Sequence, residues 1–259
     1  MEEARNMTQT LHIVLQGKGG VGKSVVSRLL QEYMIAKGID YIGFDADPVN
    51  QTFAAHENDK VISVNLLAES GGTIDSILFD SLLEKIVTSE GKSVILDTGA
   101  STFLPFMEYL TDSDIVAILE GEGFEVFIHT LVTGGTSTKD TIEGFVQLAE
   151  RFGKECNVVV WENEHFGKVS LEGKTFMDMI SVKKTFKDYE GIHRVFLKKQ
   201  KTLHEAAILD FLEQGASFDE ASAKTNTTFQ MMARHRLTQL KAEYVSLLDP
   251  VIGDQENAA

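Results

Sequence analysis

The sequence predicts an α/β protein: a mostly parallel, doubly wound sheet followed by a helical C-terminal appendage. Three observations carry this. Short runs of Val, Ile and Leu recur through the first 161 residues, with helical patterns between them. The runs are apolar throughout rather than alternating, which is how strands covered on both faces read. After Trp161 the pattern changes to amphipathic helical spacing.

The elements follow in chain order. Residues 12–16 form the first strand, and an apolar-periodic helix runs over 22–37. Strands are expected at 41–44 and 61–66, then a helix near 73–88 and a strand at 93–96. A helix near 103–111 comes next, and the apolar runs 115–119, 127–132 and 157–161 are read as strands. The last two are separated by a helix at 137–152. Alternation of this kind argues for crossover connections and a parallel sheet. Beyond it, residues 203–214 and 227–248 read as amphipathic helices.

Composition bounds the function. With 259 residues the chain can bury about 70–75% of its unfolded surface, enough for a full core. Hydrophobic residues at 43% and charged residues at 24% match globular usage and exclude wholesale disorder. The single cysteine, Cys156, excludes an internal disulfide framework and any CxxC metal or cluster site. It suits a reducing cytosol, and its apolar neighbours mark it as a buried, inert thiol. A net charge of -15 repels nucleic acid and anionic lipid from the molecule as a whole. No apolar run reaches the ~18–20 residues of a membrane span, so no stable membrane insertion is expected.

The chemistry begins where the first strand ends. Gly17-Lys18-Gly19-Gly20-Val21-Gly22-Lys23-Ser24 fits the phosphate-loop pattern GxxxxGK[ST], with a strand before it and a helix after it. Glycines let successive backbone N–H groups, through Val25, turn toward a polyphosphate, and the helix N-terminus adds positive potential. Lys23 is placed to reach the β- and γ-phosphates, and the Ser24 hydroxyl to ligate Mg²⁺. The fold class is thereby narrowed to the P-loop NTPase type, with ATP and Mg²⁺ as expected cofactors.

Lys18, a second lysine inside the loop, has no role in an ordinary phosphate loop. The run 18–24 resembles the deviant Walker A motif of the ParA/MinD/Mrp class of ATPases. The resemblance implies a nucleotide-dependent homodimer in which Lys18 crosses to the partner's phosphates; a solvated lysine is the plain alternative. Asp45-Ala46-Asp47-Pro48 resembles that class's switch I, which implies that Asp47 activates the attacking water and Asp45 supports the metal. Asp97-Thr98-Gly99-Ala100 resembles its Walker B and switch II segment, which implies that Asp97 holds Mg²⁺ through a water. An aspartate at a strand end also serves as a helix cap or turn residue. By the same resemblance Asn163 is the candidate adenine-binding amide, though an asparagine there equally serves a turn.

The pattern departs from the class in two places. Switch I continues Val49-Asn50-Gln51-Thr52 rather than with Gln-Gly-Asn, and switch II carries no proline. Within the class the chain looks most like the plasmid-encoded conjugative-transfer TraL proteins. The shared features are Val14-Leu15-Gln16, His129-Thr130, Gly134-Gly135, Asp140-Thr141, Gly144-Phe145, residues 160–163 and Phe166-Gly167. Gly134-Gly135 also reads as a plain turn, and His129, inside an apolar run, as a satisfied core histidine. The resemblance implies a slowly hydrolysing switch ATPase acting in conjugation, with a partner protein in the DNA-transfer machinery.

The expected organisation is a flexible start at 1–10, an ATPase domain at 11–201, the helical appendage at 202–252 and a disordered tail at 253–259. Residues 183–201 carry a local +5, and 215–240 has a helix–turn–helix outline with Arg234, Arg236 and Lys241. A protein partner is the leading expectation for this tail, ahead of plain packing and DNA contact. Phe211, Phe218, Phe229, Met231 and Met232 are read as core. Two rival functions stay open: a nucleotide-gated adaptor without significant hydrolysis, and a small-molecule kinase-like P-loop enzyme.

Overall fold

A computed structural model describes residues 9–54, 60–68 and 73–253. The expected flexible start, apart from Gln9 and Thr10, and the tail beyond Gly253 lie outside the described residues. The first half comprises β1 (Gln9–Val14), α1 (Lys23–Lys37), β2 (Tyr41–Ala46), β3 (Val61–Ser63), α2 (Ile77–Val87), β4 (Ser93–Thr98), α3 (Phe103–Asp112) and α4 (Ile115–Gly121). The second half comprises β5 (Phe124–Thr133), α5 (Thr138–Phe152), β6 (Asn157–Asn163), a small hairpin of β7 (Ser170–Leu171) and β8 (Lys174–Thr175), α6 (Ile180–Asp188), β9 (Ile192–Leu197), α7 (Thr202–Gln214), α8 (Phe218–Ser222) and α9 (Met231–Ile252).

Seven strands form one sheet in the order β3-β2-β4-β1-β5-β6-β9, and every pairing within it is parallel. Because side chains alternate across a strand, each central strand feeds two cores. Leu11, Ile13, Val94, Leu96, Val126, Ile128, Val158 and Val160 face the layer of α2–α6. Val14, Ile95, Phe127, Leu131, Val159 and Trp161 face α1 and the C-terminal helices. The doubly wound sheet stands as expected, and α7–α9 share one core with α1 through Phe211, Phe218, Phe229, Leu237 and Leu240.

Three expectations are corrected. Residues 115–119 form α4, not a strand: Ile115, Val116 and Leu119 are buried while Ala117 and Ile118 are exposed, a helical spacing. A five-residue apolar run is compatible with either state, and the exposed positions decide it only once the fold is known. Met231 and Met232 are exposed at the start of α9 rather than in the core, whereas Phe211, Phe218 and Phe229 are buried. β1 takes in Gln9 and Thr10, and the Thr10 hydroxyl bonds to Ser93 on β4 at 2.9 Å. Among the described residues no helix is long and apolar enough to cross a membrane.

Candidate functional site

All seven strands point the same way, so the loops after β1, β2, β4, β5 and β6 gather at one edge, where open α/β sheets hold their ligands. The Gly-rich loop leaves β1 and ends at α1, whose N-cap is Gly22. Gly20 and Gly22 have φ of 73° and 105°, left-handed values that side-chain-bearing residues rarely adopt. A Cβ added at Gly19 or Gly20 would meet no atom within 4 Å, so the loop leaves an open cradle. Phe103 packs against Gly17 from below.

Lys23 is buried and donates from Nζ to the Lys18 carbonyl at 3.3 Å. Burial lowers its pKa, while Asp97 first and Asp47 second pull it back up. Lys23 is therefore an ammonium in the loop that feels the charge of two carboxylates.

Asp97 is fully buried, and neither carboxylate oxygen has a hydrogen-bond partner of good geometry among the described residues. Burial pushes its carboxyl up to about 7, against the influence of the nearby Ser24 and Ser27 hydroxyls and of Lys23. A buried carboxylate in this condition costs stability unless a cation arrives. Ser24 beside it offers the second oxygen of a Mg²⁺ site, so the donor set fits a hard cation that keeps waters in its shell.

Asp45, the register partner of Asp97 across β2 and β4, is equally buried but fully occupied. Its Oδ1 accepts from the Asp47 N–H, and its Oδ2 from those of Phe53 and Ala54. Its carboxylate braces the loop 47–54. Asp47 accepts from the Val49 and Asn50 N–H groups, both through Oδ1, and lies over Gly99.

Lys18 pairs with Asp140, in the first turn of α5, at 2.7 Å. Lys18 holds the exposed Asp140 carboxyl below the usual carboxylate range. Asn163 closes the far side: its Nδ2 donates to the Val21 carbonyl at 3.2 Å and its Oδ1 accepts from the His165 N–H. It stands beside Gly22 and ties the loop after β6 to the phosphate loop.

His129 is a satisfied core histidine. Trp161 donates to its Nδ1 at 3.0 Å, so its Nε2 carries the proton and donates to His12 Nδ1 at 2.9 Å; His12 Nε2 then donates to Thr10. Both imidazoles are buried and held neutral, the His12 pKa falling to about 3. In the tail, Arg234 donates to the Asn226 and Lys224 carbonyls and Lys241 pairs with Asp219, so both cations are spent on local structure.

Sequence spacing did not mark Asp140 or Gln16 as part of the site. Lys18 had no local partner that a pattern could show, and Gln16 precedes a motif whose pattern starts at Gly17.

A model of the CobQ/CobB/MinD/ParA nucleotide binding domain matches residues 12–229 of the chain. The chain belongs to this family. Two proteins named TraL from Escherichia coli are each 37% identical to it over 239 residues, spanning 92% of this chain and 97% of theirs. Among solved structures, the MinD cell division protein of Aquifex aeolicus aligns with a TM-score of 0.48 at 15% identity, covering 90% of this chain and 97% of its own. A nucleotide-binding protein from Archaeoglobus fulgidus in complex with ADP aligns at 0.41 and 15%, covering 80% and 88%.

Proposed function

We propose that the protein is a Mg-ATP-binding switch that hydrolyses ATP slowly and dimerises in its ATP state. The observation that supports this most is Asp97: a buried carboxylate that accepts no hydrogen bond of good geometry among the described residues, beside the Ser24 and Ser27 hydroxyls and Lys23 at an open glycine cradle. The glycine-loop N–H groups and the start of α1 would bind the phosphates, and Lys23 would offset charge on the β- and γ-phosphates. Ser24 and Asp97 would hold Mg²⁺, which would supply positive charge against the charge that develops on transfer. Asp47 would orient the attacking water through Oδ2, which takes no hydrogen bond among the described residues. Catalysis would rest on positioning and electrostatics, with Lys18 leaving Asp140 to reach a second subunit's nucleotide.

The likeness to TraL proteins supports a place in plasmid conjugative transfer, with a protein partner in that machinery, and the single cysteine suits the cytoplasmic location of this reading. Molar mass by light scattering with Mg²⁺ and ATP, ADP or no nucleotide, read beside phosphate release, tests the proposal. A dimer confined to ATP, with slow release, is expected. Asp47→Ala should keep nucleotide binding and lose turnover, and Lys18→Ala should lose the ATP dimer. A monomer in all three states with no phosphate release would refute the switch.

A further inference from the structure

Gln16 is buried two residues after β1 and immediately before the phosphate loop, and its side chain bonds to the neighbouring βα unit of β5 and α5. Its amide nitrogen lies 2.8 Å from the Leu131 carbonyl, 3.2 Å from the Thr130 hydroxyl and 3.4 Å from the Thr141 carbonyl. Its amide oxygen rests over Gly144, where an added Cβ would come within 2.9 Å. Thr141 completes the seam: its hydroxyl accepts from the Thr133 N–H at the end of β5. Gln16, Thr130, Thr141 and Gly144 thus form one buried polar contact between the start of the phosphate loop and the first turns of α5. Immediately before Thr141, on the exposed side, stands Asp140, the partner of Lys18.

We infer that Gln16 is a positioning residue for Lys18, acting through α5. It fixes the first turn of α5 relative to Gly17 and so sets where Asp140 holds the Lys18 ammonium. Lys23, Ser24 and the loop N–H groups take their geometry from β1 and α1 and do not depend on this seam. The seam also accounts for the spaced residues Gln16, Thr130, Thr141 and Gly144 that a phosphate-binding motif alone leaves unexplained. The consequence for turnover rests on the switch reading above, whereas the placement of Lys18 does not.

The test has a nucleotide-free readout and a nucleotide-dependent one. The first is acetylation of Lys18 by N-hydroxysuccinimide acetate, followed by mass spectrometry and normalised to the other lysines. Gln16→Met keeps the volume and removes the amide; it should raise Lys18 labelling, by up to about fivefold, the limit that losing an exposed ion pair of at most ~1 kcal/mol sets. The second readout is a split between binding and turnover. Affinity for a fluorescent ADP analogue should stay within about threefold, while saturated phosphate release rises, by up to about fivefold, because Lys18 no longer has to leave Asp140 first. Gly144→Ala drives a methyl into the Gln16 amide from the α5 side and should act in the same direction, which keeps the test available if Gln16→Met folds poorly. Shortening the partner in Gln16→Asn/Gly144→Ala should restore Lys18 protection, as only a direct contact would. Unchanged Lys18 labelling in both single variants, or a double variant no better than Gly144→Ala, would overturn the positioning role. If the wild type releases no phosphate, the switch reading fails and the labelling result still decides the role of Gln16.

Discussion

Replacing Asp97 by Asn tests directly whether this carboxylate waits for a cation. The unfolded chain ionises Asp97 near its ordinary value of 3.8, the folded chain near 7. Between those values the folded state keeps a proton that the unfolded state has lost, so this group's contribution to stability is complete below about pH 4 and falls as pH rises through 7. At 1.36 kcal/mol per unit, the ionised carboxylate costs at most about 4 kcal/mol at pH 8 and about 2 kcal/mol at pH 5. Asn fills the same space, can bond to the Ser24 and Ser27 hydroxyls and carries no charge. Without nucleotide, Asp97→Asn should therefore be more stable than the wild type, and more so at pH 8 than at pH 5. Lys23 loses one of its two carboxylate neighbours, which trims the gain. In a thermal melt each kcal/mol corresponds to roughly 2–4 °C for a chain of this size. The variant should also lose the stabilisation that Mg²⁺ with ATP gives the wild type. An Asn variant less stable than wild type at pH 8, with a difference independent of pH, would show that the ionised carboxylate is already well compensated and would refute the cation-site argument.

Other expectations follow from the same geometry. The imidazole NMR signals of His12 and His129 should not titrate between pH 8 and 5, because burial depresses both pKa values and their neutral state favours folding above pH 6.5; a midpoint near 6.5 for either would refute the buried chain. Gly134→Ala builds a methyl 2.3 Å from the Gly167 carbonyl oxygen, a contact that backbone alone must relieve, and should cost roughly 1–3 kcal/mol or more in urea unfolding. Arg28→Met strands the buried Glu32 carboxylate, whose pKa burial already raises to about 7, and should cost roughly 3–5 kcal/mol at pH 8 and less at pH 5. A pH-independent loss would point to packing rather than charge.

The sheet and the phosphate loop were legible because their signals are local. Apolar runs without alternation identify doubly covered strands, and the loop's glycines sit at fixed spacing between strand and helix. The 115–119 run failed because local composition cannot separate a short buried strand from one and a half turns of helix. Met231 and Met232 failed for a related reason: they open α9 exposed, between the buried Phe229 and Leu237, and methionine side chains carry no sign of which face they occupy. At the site, strand-end acids were legible as a group but not by state. Asp45 and Asp97 sit side by side in the register and are equally buried, yet one accepts three N–H bonds and the other none of good geometry. That difference arises from how residues 47–54 fold back, which no motif spells out. Lys18 and Asp140 lie 122 positions apart, so their pairing depends on β1 and β5 being neighbours.

The C-terminal helices are joined to the nucleotide site through α1. Its first residues are Lys23 and Ser24; one and two turns later, Arg28 and Glu32 form an i,i+4 pair that is almost fully buried. Arg28 donates to the Gly215 and Ala216 carbonyls, stacks over Phe211 and bonds to Gln31, while Glu32 accepts from the Phe218 N–H. These bonds close the break between α7 and α8, where the backbone would otherwise lack partners. A buried ion pair is a poor source of net stability, because desolvation offsets most of the attraction. Its value here is geometric: each charge has backbone partners in only one arrangement of α7 and α8 against α1. Leu29, Leu30, Tyr33 and Met34 then meet Phe218, Leu240, Leu248 and Ile252 in one continuous core. A movement of the phosphate loop that rotates α1 must therefore carry the C-terminal helices with it or break the buried bonds of Arg28 to the Gly215 and Ala216 carbonyls and of Glu32 to the Phe218 N–H, which couples those helices to the cradle through α1.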